Sequence, residues 1–485
     1  MTQKTNGDSG QGARYGSKVR ALRRREGMVQ AQLAEKLGIS PSYLNLIESN
    51  RRPLTAPLLV RLVQLFQVDL GTFTRDEDER LDADLLEAFS DPLFEAHGLT
   101  GPEVREFAAQ SPALARAVLG LYRAWQDAHR SAETLASRLF DGERERGVGV
   151  TSAPPEEVND LLQAHMNHFP ELEEGAERVW KEGGLFQDDL YQGLVRYLER
   201  FHRVEVRVAR WDTERQVLRR YDPERRVMTL SELLPTRSRS FQLAHLVGLL
   251  TQRATLDGLT QDPRLTTHDA RQLAGIALAN YFAGAVLMPY EPFLAAARAE
   301  RYDIDVVGRR FRVGFEQVCH RFTTLRRPGA EGVPFHMIRI DMAGNISKRF
   351  SASGIRFARF SGACPRWNVF AAFLTPGLIR LQLSKMSDGE TFFCIARTIQ
   401  KDSGGYHAQH PVQAIGLGCR VDHARELVYS DGVDLSRLEM ATPVGVTCRL
   451  CERTDCEQRA LPSLRHPLRI DPNVRGVTLY NPAPR

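Results

Sequence analysis

Three cysteines fall within nine positions in Cys448-Arg449-Leu450-Cys451-Glu452-Arg453-Thr454-Asp455-Cys456, and all seven cysteines of the 485-residue chain lie after residue 318. A C-x2-C-x4-C run can bring three thiolates onto one metal centre, while structural zinc and iron–sulfur clusters usually take four sulfurs. The expected fourth ligand is Cys419, at the end of the strand-like run Gly416-Leu417-Gly418-Cys419, with Cys364 as second choice. Arg449, Arg453 and Arg459 stand ready to offset thiolate charge. Zinc and an iron–sulfur cluster are not separated by spacing alone, and buried free thiols are the alternative. Seven cysteines in so long a chain are too few for a disulfide scaffold.

A second group of residues points to nucleic acid. The chain carries 65 Lys/Arg against 60 Asp/Glu, a net charge of +5, but residues 1–70 hold +6 and residues 71–100 hold −7. A basic head before an acidic connector is an electrostatic footprint for DNA. Apolar residues recur in the head at helical spacing: Val19 and Leu22, then Leu33, Ala34 and Leu37, then Leu44 and Ile47, then Leu58, Leu62, Leu65 and Phe66. Between the second and third stripes, Gly38 suits a left-handed turn, Ser40 a helix cap and Pro41 a first helical position. This is a helix-turn-helix junction. Its recognition helix would begin at Ser40 and present Ser42, Tyr43 and Asn45 to base edges, with Gln32, Arg51 and Arg52 placed for phosphates. A four-helix domain that docks on protein is the bland alternative. The stretch QLAEKLGISPSYLNLIESNRRPLT also resembles the Xre/Cro family of repressor domains, which implies a homodimer on a two-fold double-stranded DNA operator.

The elements downstream change character twice. Residues 79–140 read as helical, with Leu114, Val118, Leu121 and Trp125 as one stripe, and serve as either a spacer or a dimer contact. Polar residues 141–155 form a boundary. Helices follow to about 202, then strands at 204–209, 216–221 and 226–231, then helices over 236–326. After Arg327-Pro328-Gly329, short strands at 333–342 and 346–350 flank the hairpin signal Gly344-Asn345, with further strands at 377–385, 391–399 and 412–419. The expected architecture is multi-domain: an all-α head at 13–70, a helical connector at 71–153, an α+β zincin-like domain at 154–328 and an α+β C-terminal domain at 329–485. The longest apolar stretch, Ala274 to Met288, is too short for a membrane span, and the polar N-terminus has no secretion signal; a cytoplasmic protein is expected.

Residues 241–250, FQLAHLVGLL, resemble the active-site helix of the ImmA/IrrE zinc peptidases, and ANYFA at 279–283 with LMP at 287–289 resembles its partner helix. The chemistry has gone. A zincin helix needs two histidines four residues apart and a glutamate beside the first. His245 is present, but Leu246 replaces the glutamate, Leu249 the second histidine, and Gly275, Ile276 and Ala277 fill the stretch expected to hold the acidic third ligand. The expectation is a non-enzyme, a pseudo-peptidase whose cleft holds another ligand, with His245 either touching that ligand or satisfied in the interior.

The run CRLCERTDCEQRALPSL, together with residues 301–329, DMAGNISKR, CPRW and IGLGC, resembles the C-terminal domain of the short-chain fatty acyl transcriptional regulators. That resemblance spans nearly the whole chain and implies an acyl-CoA effector and control of propionate and related acyl-CoA metabolism. Such a ligand needs cations for its phosphates, a flat face for adenine and a small apolar pocket. Arg309, Arg310, Arg312, Lys348 and Arg349 are candidates for the phosphates, and Tyr281 or Trp367 for the face. Phosphate-binding glycine loops are absent. The expected function is a DNA-binding regulator whose operator affinity an acyl-CoA adjusts. An ImmA/IrrE-type metallopeptidase that cleaves a repressor, or a stress or phage-type repressor governed by a protein partner, are the alternatives.

Overall fold

The structure, a computed structural model, describes residues 15–49, 51–66, 75–97, 99–141, 154–210, 217–358, 363–400 and 410–463. The chain divides into two compact units, Met1–Arg123 and Ala124–Arg485.

The first unit opens with α1 (Gly16–Arg25), α2 (Gln30–Leu37), α3 (Pro41–Glu48) and α4 (Ala56–Phe66). The stripes read from the sequence meet in one core, where Val19, Leu33, Leu44 and Leu62 are fully buried. Gly38 closes α2 at φ 67°, and the Ser40 hydroxyl accepts the Tyr43 N–H at 3.2 Å to start α3. Glu48 is buried on α3, and Arg23 clasps it through two bonds of 2.7 and 3.0 Å, which ties α1 to α3. Beyond follow α5 (Arg75–Ala88), α6 (Gly101–Gln110) and α7 (Pro112–Asp141). The stripe on α7 differs from the expected one. Ala115, Leu119 and Tyr122 are buried, while Leu114 and Leu121 are 61% and 72% exposed, because the rings of Phe94 and Tyr122 pack together and set the rotation of the helix.

The second unit begins with α8 (Pro154–Ala164), α9 (Pro170–Gly183) and α10 (Leu190–His202), followed by a three-stranded sheet of β1 (Glu205–Ala209), β2 (Arg219–Asp222) and β3 (Val227–Ser231) in the order β1-β3-β2. Next come α11 (Thr236–Thr251), α12 (Arg253–Leu259), α13 (His268–Leu287), α14 (Tyr290–Ala299), α15 (Ile304–Phe311) and α16 (Phe315–Thr323). The C-terminal part is a six-stranded sheet of β4 (His336–Asp341), β5 (Ile346–Ser351), β6 (Arg380–Lys385), β7 (Thr391–Gln400), β8 (Val412–Arg420) and β9 (Thr442–Pro443), ordered β5-β4-β8-β7-β6-β9. Central strands covered on both faces read as continuous apolar runs, and β7 and β8 do so.

One core crosses the 328/329 position. Leu243, Phe282 and Phe322 share a cluster with Phe335, Phe393 and Leu417. The opposite face of the large sheet holds a second cluster built on Ile338, Ile340, Trp367 and Phe392. Strand alternation on β4 makes the division: Met337 joins the first core and Ile338 and Ile340 the second. Gly418 is required where β4 meets β8, since a Cβ there would lie 2.5 Å from the His336 ring. Among the described residues no single helix is long and apolar enough to cross a membrane.

Candidate functional site

On the head, Ser42 and Asn45 are exposed on α3, Tyr43 is half-buried beside them, and Gln32, Arg51 and Arg52 are exposed as well. Two of the expected DNA-contact residues, Ser40 and Gln32, have local duties as well. Ser40 spends a lone pair on its cap, and Gln32 Oε1 accepts the Val29 N–H at 2.9 Å, which leaves the Gln32 amide N–H groups directed outward. Gln30 Nε2 donates to Asn45 Oδ1 at 3.3 Å and holds that carboxamide in place.

In the second unit, α11 carries His245 into the interior at 4% exposure, and its Nδ1 has no hydrogen-bond partner among the described residues. Burial, helped by the Arg219 guanidinium, pushes its pKa down to about 4, so the ring is neutral. Leu249, one turn on, is 37% exposed and supplies no ligand. Among the described residues no three His, Cys, Asp or Glu side chains gather closely enough to hold a metal ion.

A cavity of about 750 Å³ opens where the α-helices meet the large sheet. Phe241 of α11, Ile276 of α13 and Met337 of β4 give it apolar walls, and Arg237, Arg339, Lys348 and Arg349 give it cations. Glu316 on α16 accepts from both Arg339 and Lys348, at 2.6 and 3.0 Å, and Arg349 pairs with Glu156 of α8. These two carboxylates thus pair with three of those four cations. At the inner end a buried pair joins distant parts of the chain: Arg321 donates to Glu173 through 2.5 and 2.9 Å bonds, and the Tyr281 hydroxyl donates to the same carboxylate at 2.6 Å. Burial alone would raise the Glu173 pKa, but the Arg321 guanidinium more than offsets it and holds the carboxyl below its ordinary value.

The expected ligand residues are thereby sorted. Arg349 lines the cavity. Tyr281 also contributes to its wall, but as a strut: the ring is 2% exposed and packed edge-on to Phe169, so it offers no open face for a base. His245 is not among the lining residues and is buried on α11 instead. Trp367 is buried in the second core against Phe357, on the opposite side of the sheet. Arg310 pairs with Glu300 and borders a different, apolar groove beside α14. Asn167, Glu173, Glu316 and Arg321 were not anticipated. For Glu173 and Arg321 the signal is a charged residue set into an apolar helical face, as Arg321 is among Val318, Cys319 and Phe322.

The cysteine loop follows β9. Cys448, Cys451 and Cys456 are all buried, and the Ala460 N–H donates to Cys448 Sγ at 3.4 Å. Arg459, also buried, donates to the Cys448 and Cys451 carbonyls at 2.7 and 3.0 Å. Cys419 does not join them. Its strand position turns it into the first core, where the nearest titratable neighbours are Cys394, Glu426 and Asp422. Cys364 is the residue brought to the loop: its N–H donates to the Val446 carbonyl at 3.0 Å, and Cys448 and Cys451 are among the titratable neighbours of its thiol. Strand alternation separates the two, since residues 393 and 419 are register partners facing one side while the loop lies on the other.

Residues 19–73 match a helix-turn-helix family, residues 201–323 the IrrE N-terminal-like domain, and residues 324–480 the short-chain fatty acyl coenzyme A regulator C-terminal domain. The chain is 40% identical to a propionyl-CoA carboxylase regulator of Cereibacter sphaeroides, over 96% of this chain and 98% of that protein. It is 39% identical to the HTH-type transcriptional regulator PrpR of Mycobacterium tuberculosis, over 96% of this chain and 95% of that one. RamB, an HTH-type transcriptional regulator of the same species, is 38% identical over 96% and 98%. A solved Mycobacterium tuberculosis transcriptional regulator matches at a TM-score of 0.65 and 40% identity, covering 68% of this chain and all of that chain.

Proposed function

Because the chain belongs to the helix-turn-helix transcriptional regulators that join an IrrE-like domain to a short-chain fatty acyl coenzyme A regulator domain, we propose that a short-chain acyl-CoA held in the α/β cavity adjusts its affinity for an operator read by α3. The carrying observation is the cavity itself. Its volume suits a small-molecule ligand, its apolar walls suit an acyl and pantetheine arm, and its surplus of cations suits phosphates. The ligand acts as an effector rather than a substrate, since Leu246 and Leu249 stand where a zincin needs its base and second ligand. The protein works in the cytoplasm as a homodimer, a reading supported by the DNA-binding head and by the exposed Leu114 and Leu121 on α7. Such a switch requires that the ligand distinguish two placements of the heads energetically.

The cysteine loop is read as a centre for zinc or an iron–sulfur cluster, with Cys364, Cys448, Cys451 and Cys456 as its ligands. The donor set supports this. Cys364, Cys448, Cys451 and Cys456 are all buried, the Ala460 N–H donates to Cys448 Sγ, and the Arg459 guanidinium, bonded to neutral carbonyls, gains from thiolate charge nearby; as they stand the four side chains do not gather closely enough to hold a metal, so binding would have to draw them together. A metal there would staple the C-terminal loop to the sheet or carry redox input.

Fluorescence anisotropy of a labelled operator tests the effector reading. Propionyl-CoA, suggested by the name of the Cereibacter sphaeroides relative, is expected to shift operator affinity more than CoA or propionate does. No shift with any acyl-CoA would refute it and turn attention to a protein partner. For the metal, anaerobically purified Cys364→Ser is expected to lose stoichiometric zinc or iron and Cys419→Ser to retain it; the reverse result would restore Cys419 as the ligand.

A further inference from the structure

Asn167 sits in the turn between α8 and α9 with a left-handed backbone, φ 51°, and forms part of the cavity wall at 1% exposure. Its carboxamide cannot flip freely. Nδ2 donates to Thr323 Oγ1 at 2.8 Å, and Thr323 Oγ1 donates to the His320 carbonyl at 2.6 Å. A hydroxyl has one proton, so with that proton committed Thr323 can only accept, and the atom facing it must be the amide N–H. Oδ1 is therefore the atom left over, buried and without a hydrogen-bond partner among the described residues.

Most of the surrounding polar groups are already spent, although the His168 ring Nδ1 nearby also lacks a partner among the described residues. Glu173 and Arg321 neutralise each other, Tyr281 donates to Glu173, and the Thr324 hydroxyl donates to the Arg321 carbonyl at 2.8 Å while accepting from Arg321 Nη1 at 3.0 Å. What remains at this end of the cavity is a fixed acceptor that needs a donor. Neither an acyl chain nor a thioester carbonyl supplies one, and a free carboxylate would set oxygen against oxygen. The amide N–H groups of a pantetheine arm do supply one.

We propose that Asn167 is a specificity-determining residue whose Oδ1 accepts a hydrogen bond from a pantetheine amide N–H of the acyl-CoA, so that the cavity selects acyl-CoA over the free short-chain acid. This rests on the acyl-CoA reading given above. A site built to bond an N–H rejects analogues lacking it because its own buried group is then left unpaired.

The test uses the full-length protein and calorimetric binding of propionyl-CoA and of two analogues, each with one pantetheine amide replaced by an ester. Asn167→Gly removes the acceptor and tolerates the left-handed turn. In the wild type one ester analogue is expected to bind about 10- to 100-fold more weakly than propionyl-CoA, and in Asn167→Gly that difference should vanish. Thr323→Val, which releases the carboxamide, should shrink the same difference and serves if Asn167→Gly fails to fold. Equal binding of all three ligands by the wild type overturns the proposal, as does an equal loss for all three in the variants, which marks a purely structural role. In both cases the acyl-CoA reading stands. If propionyl-CoA and every other acyl-CoA fail to bind the wild type, that reading and this proposal fall together.

Discussion

Glu173 and Arg321 come from helices nearly 150 positions apart and meet where both are shielded from water. Removing one partner of such a pair leaves a buried charge unpaired, which costs about 3–5 kcal/mol, whereas replacing both with apolar residues costs far less. Urea denaturation should therefore find Arg321→Met severely destabilised and Glu173→Gln/Arg321→Met much closer to wild type. A double variant as damaged as the single one would mean that the pair's shape, and not its charge, holds the helices. Histidines set the acid sensitivity. Burial pushes the folded pKa of His336 down to about 3 and that of His245 to about 4, both below the unfolded value near 6.5. The unfolded chain then binds more protons below pH 6.5, so stability is full above that value and falls with pH. The slope is about 1.4 kcal/mol per pH unit for each histidine until the folded pKa is reached. His245→Leu should flatten the fall between pH 6.5 and 4 by one histidine's share; an unchanged slope would show that His245 is charged in the fold.

At the scale of elements, α3 depends on what precedes it. Ser40→Ala removes its cap and should destabilise the head by about 1 kcal/mol. Gly38→Ala forces a side chain into the left-handed turn and should weaken the α2–α3 junction as well. Side chains around α3 should divide by role. Arg51→Ala and Arg52→Ala are each expected to weaken all DNA binding and lower the slope of log affinity against log salt by about 1, while Asn45→Ala should relax sequence preference and leave non-specific binding intact. An Arg51 variant with altered sequence preference would place that side chain against a base. This junction was legible because turn chemistry and capping are local, and so were the strands: the hairpin signal Gly344-Asn345 lies between β4 and β5 as expected. The face of α7 was not legible, since both candidate stripes are apolar and the packing of Tyr122 chooses between them.

At the scale of the whole molecule, a ligand that binds only the folded state must raise its stability, by about 2.7 kcal/mol at a hundred times Kd. Thermal unfolding with propionyl-CoA should show that rise in the transition of the second unit, where the cavity lies between elements that share one core. Arg339→Gln/Lys348→Gln should reduce the rise with propionyl-CoA and have little effect on weak binding of propionyl-pantetheine, which lacks all of CoA's phosphates. Equal losses for both ligands would place those cations away from the phosphates.

Local chemistry was written in the sequence: the capped junction of α2 and α3, the order of helices and strands, the loss of the peptidase's base and second ligand at Leu246 and Leu249, and the close spacing of Cys448, Cys451 and Cys456. Each depends on neighbours a few residues apart, where backbone geometry alone determines who meets whom. Tertiary structure decided the rest. It turned Cys419 and Trp367 away, brought Cys364 to the cysteine loop, and set Asn167, Glu173 and Arg321 at one end of a cavity. Those outcomes turn on which face of a strand is buried and how helices more than 100 positions apart pack. Only the folded chain's competition for buried volume and hydrogen-bond partners resolves them.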